Sequence, residues 1–336
     1  HGKTTTTAML TQILMRADMD PSAVIGGKLP AIGGNGRVGK SEIMVCEACE
    51  FCDHFLQLYP DTVVVLNIDE DHLEYFKNLE NIIRSFHTFC KMATLSVIVN
   101  GDDANSMKAV QGIEKPVTTF GYGEDNDYVI SNVRPKDGVT TLFDLSEHGT
   151  PLGTFMLGIP GKHNVLNAAA AIISALSAGA DVELIKLGLS EFHGAGRRFV
   201  VLAKINGITI ADDYAHHPTE LAATLKTAKE LPFRKVWAVF QPFTYSRTAI
   251  LLDDFAKALS IADHVVMSEI MGAREVNTYD IYTRDLAEKI DGSVWFNTFE
   301  EIADYVVEHA QPGDLVITLG CGDIYKAAKL MIKKLS

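Results

Sequence analysis

The chain has 336 residues, more than one hydrophobic core ordinarily supports, so two domains are expected, each with a sizeable core. Apolar residues make up 47% and charged residues 22%, a globular balance, and no low-complexity tract or solenoid-length repeat interrupts the chain. A formal net charge of -13 without any Lys/Arg cluster speaks against a nucleic-acid or acidic-membrane surface.

Ala8, Met9, Leu10, Ile13, Leu14 and Ala17 fall at helical spacing, and Asp20-Pro21 ends that first helix. Strands are expected at Glu42–Cys46 and Thr62–Asn67, a helix at Leu79–Met92, a strand at Leu95–Val99 and a turn at Asn100-Gly101-Asp102. Short β-type runs between about 117 and 158 suggest an antiparallel annex to a mostly parallel sheet. An Ala-rich helix over 164–178 follows, with Gly179 as its C-cap, and the Gly-rich stretch His193-Gly194-Ala195-Gly196 marks a domain boundary. Domains of 1–192 and 193–336 are therefore expected. In the second, strands at Ile208–Asp212, Val236–Gln241, His264–Ser268 and Leu315–Leu319 alternate with helices beginning near Pro218, Ser246, Arg284 and Phe299. That alternation predicts a second parallel α/β sheet with ligands at the carboxyl ends of its strands.

The longest apolar stretch, Ala168 to Leu176, is too short to cross a bilayer, and no signal-peptide pattern opens the chain. Three of five cysteines crowd into residues 46 to 52, which is not how a disulfide framework is spaced, so a reducing cytoplasm is expected. The chain opens on His1 inside what reads as a motif, and a natural N-terminus is expected ahead of it.

Two segments could cradle phosphate. Gly34 to Ser41 matches the full Walker A pattern, whereas His1-Gly2-Lys3-Thr4 matches only its tail. A working loop hands its anion to a helix N-terminus, where free N–H groups and the dipole meet the charge. Lys40-Ser41 runs into strand-like residues and Lys3-Thr4 into the first helix, so the Lys3 site is preferred and Gly34–Ser41 is read as a flexible surface loop. Lys3 would then meet the β/γ-phosphates of ATP, with the Thr4 hydroxyl on Mg2+. Glu47, at a strand end, reads either as a Walker B carboxylate or as a solvated Glu. Asn67, Asp71 and His72 follow the next strand onto the same sheet edge. Imidazole is an unusual Mg2+ ligand, so the residues alone leave His72 open between ligand and structural roles. Cys46-x-x-Cys49-x-x-Cys52 is half of an iron-sulfur pattern without its fourth nearby cysteine, and packed thiols are the default reading.

Taken in order, His1-Gly-Lys-Thr-Thr-Thr-Thr-Ala-Met9, Glu47-Ala-Cys-Glu50, Leu66-Asn-Ile-Asp-Glu-Asp-His72, Pro160-Gly-Lys-His-Asn164-Val-Leu-Asn167, Gly194-Ala-Gly-Arg-Arg198-Phe199 and Asp212-Asp-Tyr-Ala-His-His-Pro-Thr-Glu220 resemble the motifs of the Mur ligases. So do Phe240-Gln-Pro-Phe-Thr-Tyr-Ser-Arg247 and Leu319-Gly-Cys-Gly-Asp-Ile324, and the resemblance covers essentially the whole chain. It implies an ATP-binding central domain and a Rossmann-like C-terminal domain, with a UDP-binding domain ahead of them in the full protein. The implied activity is ATP-dependent, Mg2+-requiring joining of L-alanine to UDP-N-acetylmuramate through an acyl phosphate, with a muropeptide-recycling ligase or a P-loop NTPase as alternatives.

The resemblance further implies that Gly2, Lys3, Thr4 and Thr5 hold ATP phosphates, that Thr4 and Glu47 share one Mg2+ and that His72 helps hold a second. Asn164 and Asn167 would meet the adenine, Arg198 the phosphates and Asp213 the ribose. Tyr214, His216, His217 and Arg247 would surround the amino acid and the incoming carboxylate, and Lys3, His72, Arg198 and Arg247 would be catalytic. Cys49-Glu50-Phe51-Cys52 and Phe243-Thr244 depart from the runs many relatives carry, which leaves substrate contacts there open. The fragment alone is expected to be inactive or nearly so.

Overall fold

A computed structural model describes residues 1–137 and 139–336, without the side chains of residues 73, 74 and 137. The chain divides into two compact units, His1–Ala195 and Gly196–Ser336.

The first unit runs α1 (Lys3–Arg16), β1 (Ser22–Leu29), β2 (Gly34–Arg37), β3 (Met44–Cys46), β4 (Thr62–Val65), α2 (Leu73–Phe76), α3 (Leu79–Met92), β5 (Ser96–Asn100), α4 (Ala104–Ala109), β6 (Val117–Gly121), β7 (Tyr128–Asp137), β8 (Thr140–Glu147), β9 (Thr150–Leu157), α5 (Lys162–Ser177) and α6 (Val182–Ser190). One sheet has the order β2-β1-β3 and the other β4-β5-β6-β7-β8-β9. Pairing is parallel from β4 through β7 and antiparallel from β7 to β9, so the annex expected near 117–158 continues the main sheet. Gly34–Ser41 is corrected: its first half is not a flexible loop but β2, antiparallel to β1.

Thr4 to Thr7 are poor helix formers, since β-branching restricts χ1 against the preceding turn. Burial keeps them helical, for Thr5, Thr6 and Thr7 are all below 9% exposed. Ala8, Met9 and Ile13 then pack with Val165, Ala168 and Ile172 of α5 in one core. Helix α3 starts where the Asn78 side chain accepts from the Asn81 amide and buries Ile82 and Phe89 in a second core with Val63, Val65 and Val97.

The second unit runs β10 (Val200–Ile205), β11 (Ile208–Asp213), α7 (Pro218–Glu230), β12 (Val236–Phe240), α8 (Tyr245–Ile250), α9 (Leu252–Leu259), β13 (His264–Ser268), α10 (Thr283–Ala287), β14 (Val294–Phe296), α11 (Phe299–His309), β15 (Leu315–Leu319) and α12 (Tyr325–Leu335). Its sheet order is β10-β11-β15-β12-β13-β14, parallel except at β10. β11, β12 and β15 are buried along their whole length, so β12 and β15 read as nearly continuous apolar runs, while β11 ends on the buried Asp212 and Asp213.

Candidate active site

In the first unit, the carboxyl ends of β3 and β4 meet the start of α1. Gly2 precedes the helix at φ +85°, and a β-carbon there would lie 2.3 Å from the Asn167 amide oxygen. Only glycine fits both the left-handed backbone and the close approach of α5. No side chain caps α1 and no acid occupies its first turn, so its N-terminal amides are presented as an anion-binding end.

Lys3 Nζ lies 2.9 and 2.7 Å from the two carboxylate oxygens of Glu50. The Thr4 hydroxyl donates to Glu47 Oε1 at 2.9 Å, and the other Glu47 oxygen accepts the Gly26 amide at 2.7 Å. A β-carbon on Gly26 would fall 2.5 Å from that carboxylate. Asn67 anchors the loop, its amide donating to the His1 carbonyl at 3.0 Å.

Ligand atoms of Glu50, Asp71 and His72 lie within 4.8 Å of one another, and this is the one such group of acids, His or Cys among the described residues. His72 sits at φ +53°, with the Phe51 ring 4.8 Å from its imidazole. Two sets of donors thus flank Lys3. Thr4 with Glu47 is all oxygen and suits Mg2+, and Glu50 with Asp71 supplies two hard oxygens beside the softer His72 nitrogen. Glu50 and Asp71 were absent from the metal set read from the sequence.

Asn164 and Asn167, both buried at the start of α5, are linked at 3.3 Å, and Asn164 donates to the Pro160 carbonyl at 2.6 Å. The other Walker-like segment spends its polar groups on a turn: the Lys40 amide donates to Asp20 Oδ2 and the Ser41 hydroxyl to the Asp20 carbonyl. A β-carbon at Gly39 would meet the Asp20 carbonyl oxygen at 2.1 Å, so that glycine serves packing.

The second unit gathers the rest at the carboxyl ends of β11, β12 and β15. Asp212 is clasped by Arg197, whose Nε and Nη2 donate to it at 2.5 and 2.9 Å while Nη1 donates to the Gly322 carbonyl at 2.7 Å. The Tyr214 amide donates to the Arg197 carbonyl at 2.5 Å, and the Arg198 guanidinium lies 5.1 Å from the Tyr214 ring centre. Asp213 is buried and accepts from the amides of Phe199 and Ala215, both at 2.7 Å. Burial raises its carboxyl to about 6, against the pull of Arg198 and those two amides. Its ring of backbone partners makes it a loop clamp, whatever else it contacts.

His216 Nδ1 lies 3.0 Å from the Tyr214 carbonyl, which can only accept, so Nδ1 carries the proton and Nε2 is left as the acceptor of the neutral ring. Burial pushes this imidazole below its ordinary value although Glu220 opposes the shift. His217 caps α7, accepting from the Thr219 amide. Arg247 rides on α8, whose N-cap Thr244 has φ +65°, a strained value for a β-branched residue. Burial drives the Cys321 thiol up to about 11, with the Arg247 charge opposing. Arg197, which sequence reasoning passed over beside Arg198, holds this cluster together.

A helix N-terminus bearing Lys3 and Thr4 on one α/β unit and a basic, His-bearing strand edge on the other are the arrangement of an α/β enzyme that handles anionic substrates. Residues 1–175 match the Mur ligase middle domain and residues 197–322 the Mur ligase glutamate ligase domain, so the chain belongs to the Mur ligase family. It is 42% identical over 340 residues to the UDP-N-acetylmuramate–L-alanine ligase of Caldanaerobacter subterraneus subsp. tengcongensis, covering 99% of this chain and 74% of that one. The same enzyme of Lachnospira eligens is 43% identical at the same coverage. Among solved structures, UDP-N-acetylmuramate-alanine ligase from Thermotoga maritima superposes with a TM-score of 0.82 at 26% identity, over 99% of this chain and 73% of that one. No described helix is long and apolar enough to cross a membrane.

Proposed function

We propose that this chain carries the ATP-binding and amino-acid-binding parts of a cytoplasmic ligase that joins L-alanine to the carboxylate of UDP-N-acetylmuramate. The observation that carries this reading is the Lys3-Thr4 start of α1 set against Glu47 and the Glu50-Asp71-His72 group, on a chain 42% identical to an enzyme of that name. The α1 N-terminus and Lys3 hold the β- and γ-phosphates, and Gly2, Thr5, Asn164 and Asn167 shape the nucleotide's bed. Thr4 and Glu47 would hold one Mg2+ and Glu50, Asp71 and His72 a second, and ions there neutralise phosphate oxygens. The muramate carboxylate attacks the γ-phosphorus and ADP departs. The alanine amine then attacks the acyl carbon, and phosphate leaves as the amide forms.

Arg198 and Arg247 stabilise anionic oxygens, a task that positioned cations perform best in a site shielded from water. His216, neutral with its Nε2 acceptor available, is suited to take the proton the amine sheds. Asp213 ties the Phe199 and Ala215 backbones together, which keeps Arg198 beside Tyr214, and its ribose role is secondary to that clamp. Tyr214 and His217 border the amino-acid site.

The test is orthophosphate release by the complete enzyme. Release requires ATP, UDP-N-acetylmuramate and L-alanine together, with glycine and serine weaker. Release from ATP alone would assign an NTPase, and preference for a muropeptide over free alanine would assign a recycling ligase.

A further inference from the structure

In the second unit the turn between β11 and α7 ends on His216 and His217, and α7 begins at Pro218. Glu220, in the first turn of that helix, reaches back past the N-cap His217. Its Oε2 accepts the His216 amide at 3.2 Å and lies 3.4 Å from Nδ1 of the same residue's ring. The Nδ1 proton thus has two acceptors beside it, the Tyr214 carbonyl at 3.0 Å and this carboxylate. One acid holds both the backbone and the ring of one histidine. Capping of α7 accounts for the amide bond but not for a carboxylate placed beside the ring.

The charges around the ring give that carboxylate a task. Burial of the imidazole is the largest force against a cation at His216, and Arg247 on α8 and Arg198 ahead of β10 add to it. The Tyr214 ring, edge-on at 5.5 Å, is neutral because burial raises its hydroxyl. A base that takes a proton becomes imidazolium, and arginines placed for anionic oxygens oppose that step nearby. Glu220 is the acid that counters them. An anion behind Nδ1 stabilises the imidazolium and fixes the tautomer, which leaves Nε2 as the acceptor, the service a buried carboxylate renders to a catalytic histidine.

We propose that Glu220 is the positioning residue of the proton acceptor His216, an inference that rests on the ligase reading above. As the alanine amine attacks the acyl carbon, its N–H bond breaks and an Nε2–H bond forms, while the acyl C–O bond passes its electron pair to the departing phosphate. The charge left on the ring is paired with Glu220.

The test compares two nucleophiles on the complete enzyme with ATP and UDP-N-acetylmuramate. Alanine has to shed a proton to form the amide, whereas hydroxylamine, an uncharged and reactive amine near neutral pH, traps an acyl phosphate as hydroxamate without help from a base. Glu220→Gln should lower the alanine rate about tenfold more than the hydroxamate rate. It should also move the acid limb of the alanine rate down by about one pH unit, because the imidazole becomes harder to protonate. Equal losses with the two nucleophiles, or an unmoved acid limb, would overturn the proposal and leave Glu220 a helix cap. Wild-type enzyme that forms no hydroxamate would instead remove the ligase reading beneath it. If Glu220→Gln does not fold, Glu220→Asp, which keeps the charge but sets it farther from Nδ1, should still move the limb downward, and an unmoved limb there would overturn the proposal equally.

Discussion

Replacing Arg197 with Met would leave Asp212 as a buried charge with one side-chain partner, the Thr318 hydroxyl at 2.6 Å. The Asp212 side chain is only 3% exposed and loses both guanidinium bonds, while Gly322 loses a donor and Tyr325 a cation 4.9 Å from its ring. Removing one partner of a buried pair costs about 3–5 kcal/mol, most of it from the charge left behind. A domain of this size has roughly 5–15 kcal/mol to lose, so the second unit should unfold at much lower denaturant. The chain's two tryptophans, Trp237 and Trp295, both lie in that unit, so their fluorescence in a urea titration reports it selectively. Adding Asp212→Asn to Arg197→Met should recover about half of the loss or more, because the stranded charge is gone. A loss below about 1 kcal/mol, or no recovery in the double variant, would refute the reasoning.

Gly2→Ala should weaken ATP binding at least tenfold by calorimetry and cost about 1–2 kcal/mol of stability, since alanine resists φ +85° and meets Asn167. Unchanged affinity would remove Gly2 from the phosphate loop. Glu47→Gln should weaken divalent-cation binding about tenfold in a metal titration with a non-hydrolysed ATP analogue, and should leave the fold intact. For Asp213 the folded carboxyl lies near 6, above its unfolded value of about 3.9. Its contribution is therefore complete below about pH 4 and lost as pH rises through 6, a fall of up to about 3 kcal/mol. Urea unfolding from pH 4 to 7 should show that decline flattened in Asp213→Asn, and an unaltered slope would contradict the burial argument.

Much of the fold was legible because its elements carry their own boundaries. Helix α3 occupies Leu79–Met92 as expected, and the Asn78 side chain caps its start. The buried strands β12 and β15 of the second unit stand out as apolar runs between turns. β1 was hidden by Gly26-Gly27, which reads as a turn, yet Gly26 lies in the strand so that the Glu47 carboxylate can reach its amide. β2, Gly-Asn-Gly-Arg, has almost no strand propensity and exists through pairing with β1. The site was legible where residues follow one another, as at Lys3-Thr4. Convergence of Glu50 on Lys3 and on Asp71 and His72 joins separate segments, and spacing cannot reveal it. Nor could sequence decide which of two adjacent arginines turns inward; Asp212 and Asp213 are both buried, and it is Arg197 that reaches Asp212.

Under the proposed function, Glu50's hold on Lys3 would tie the nucleotide to its cations. A lone phosphate arriving at α1 would compete with a carboxylate already seated on the lysine. A divalent ion that drew Glu50 toward Asp71 and His72 would release the ammonium to its new counter-charge. Each ligand would then raise affinity for the other by one common factor, so that the pocket would favour the metal-loaded nucleotide over bare anions in the surrounding pool.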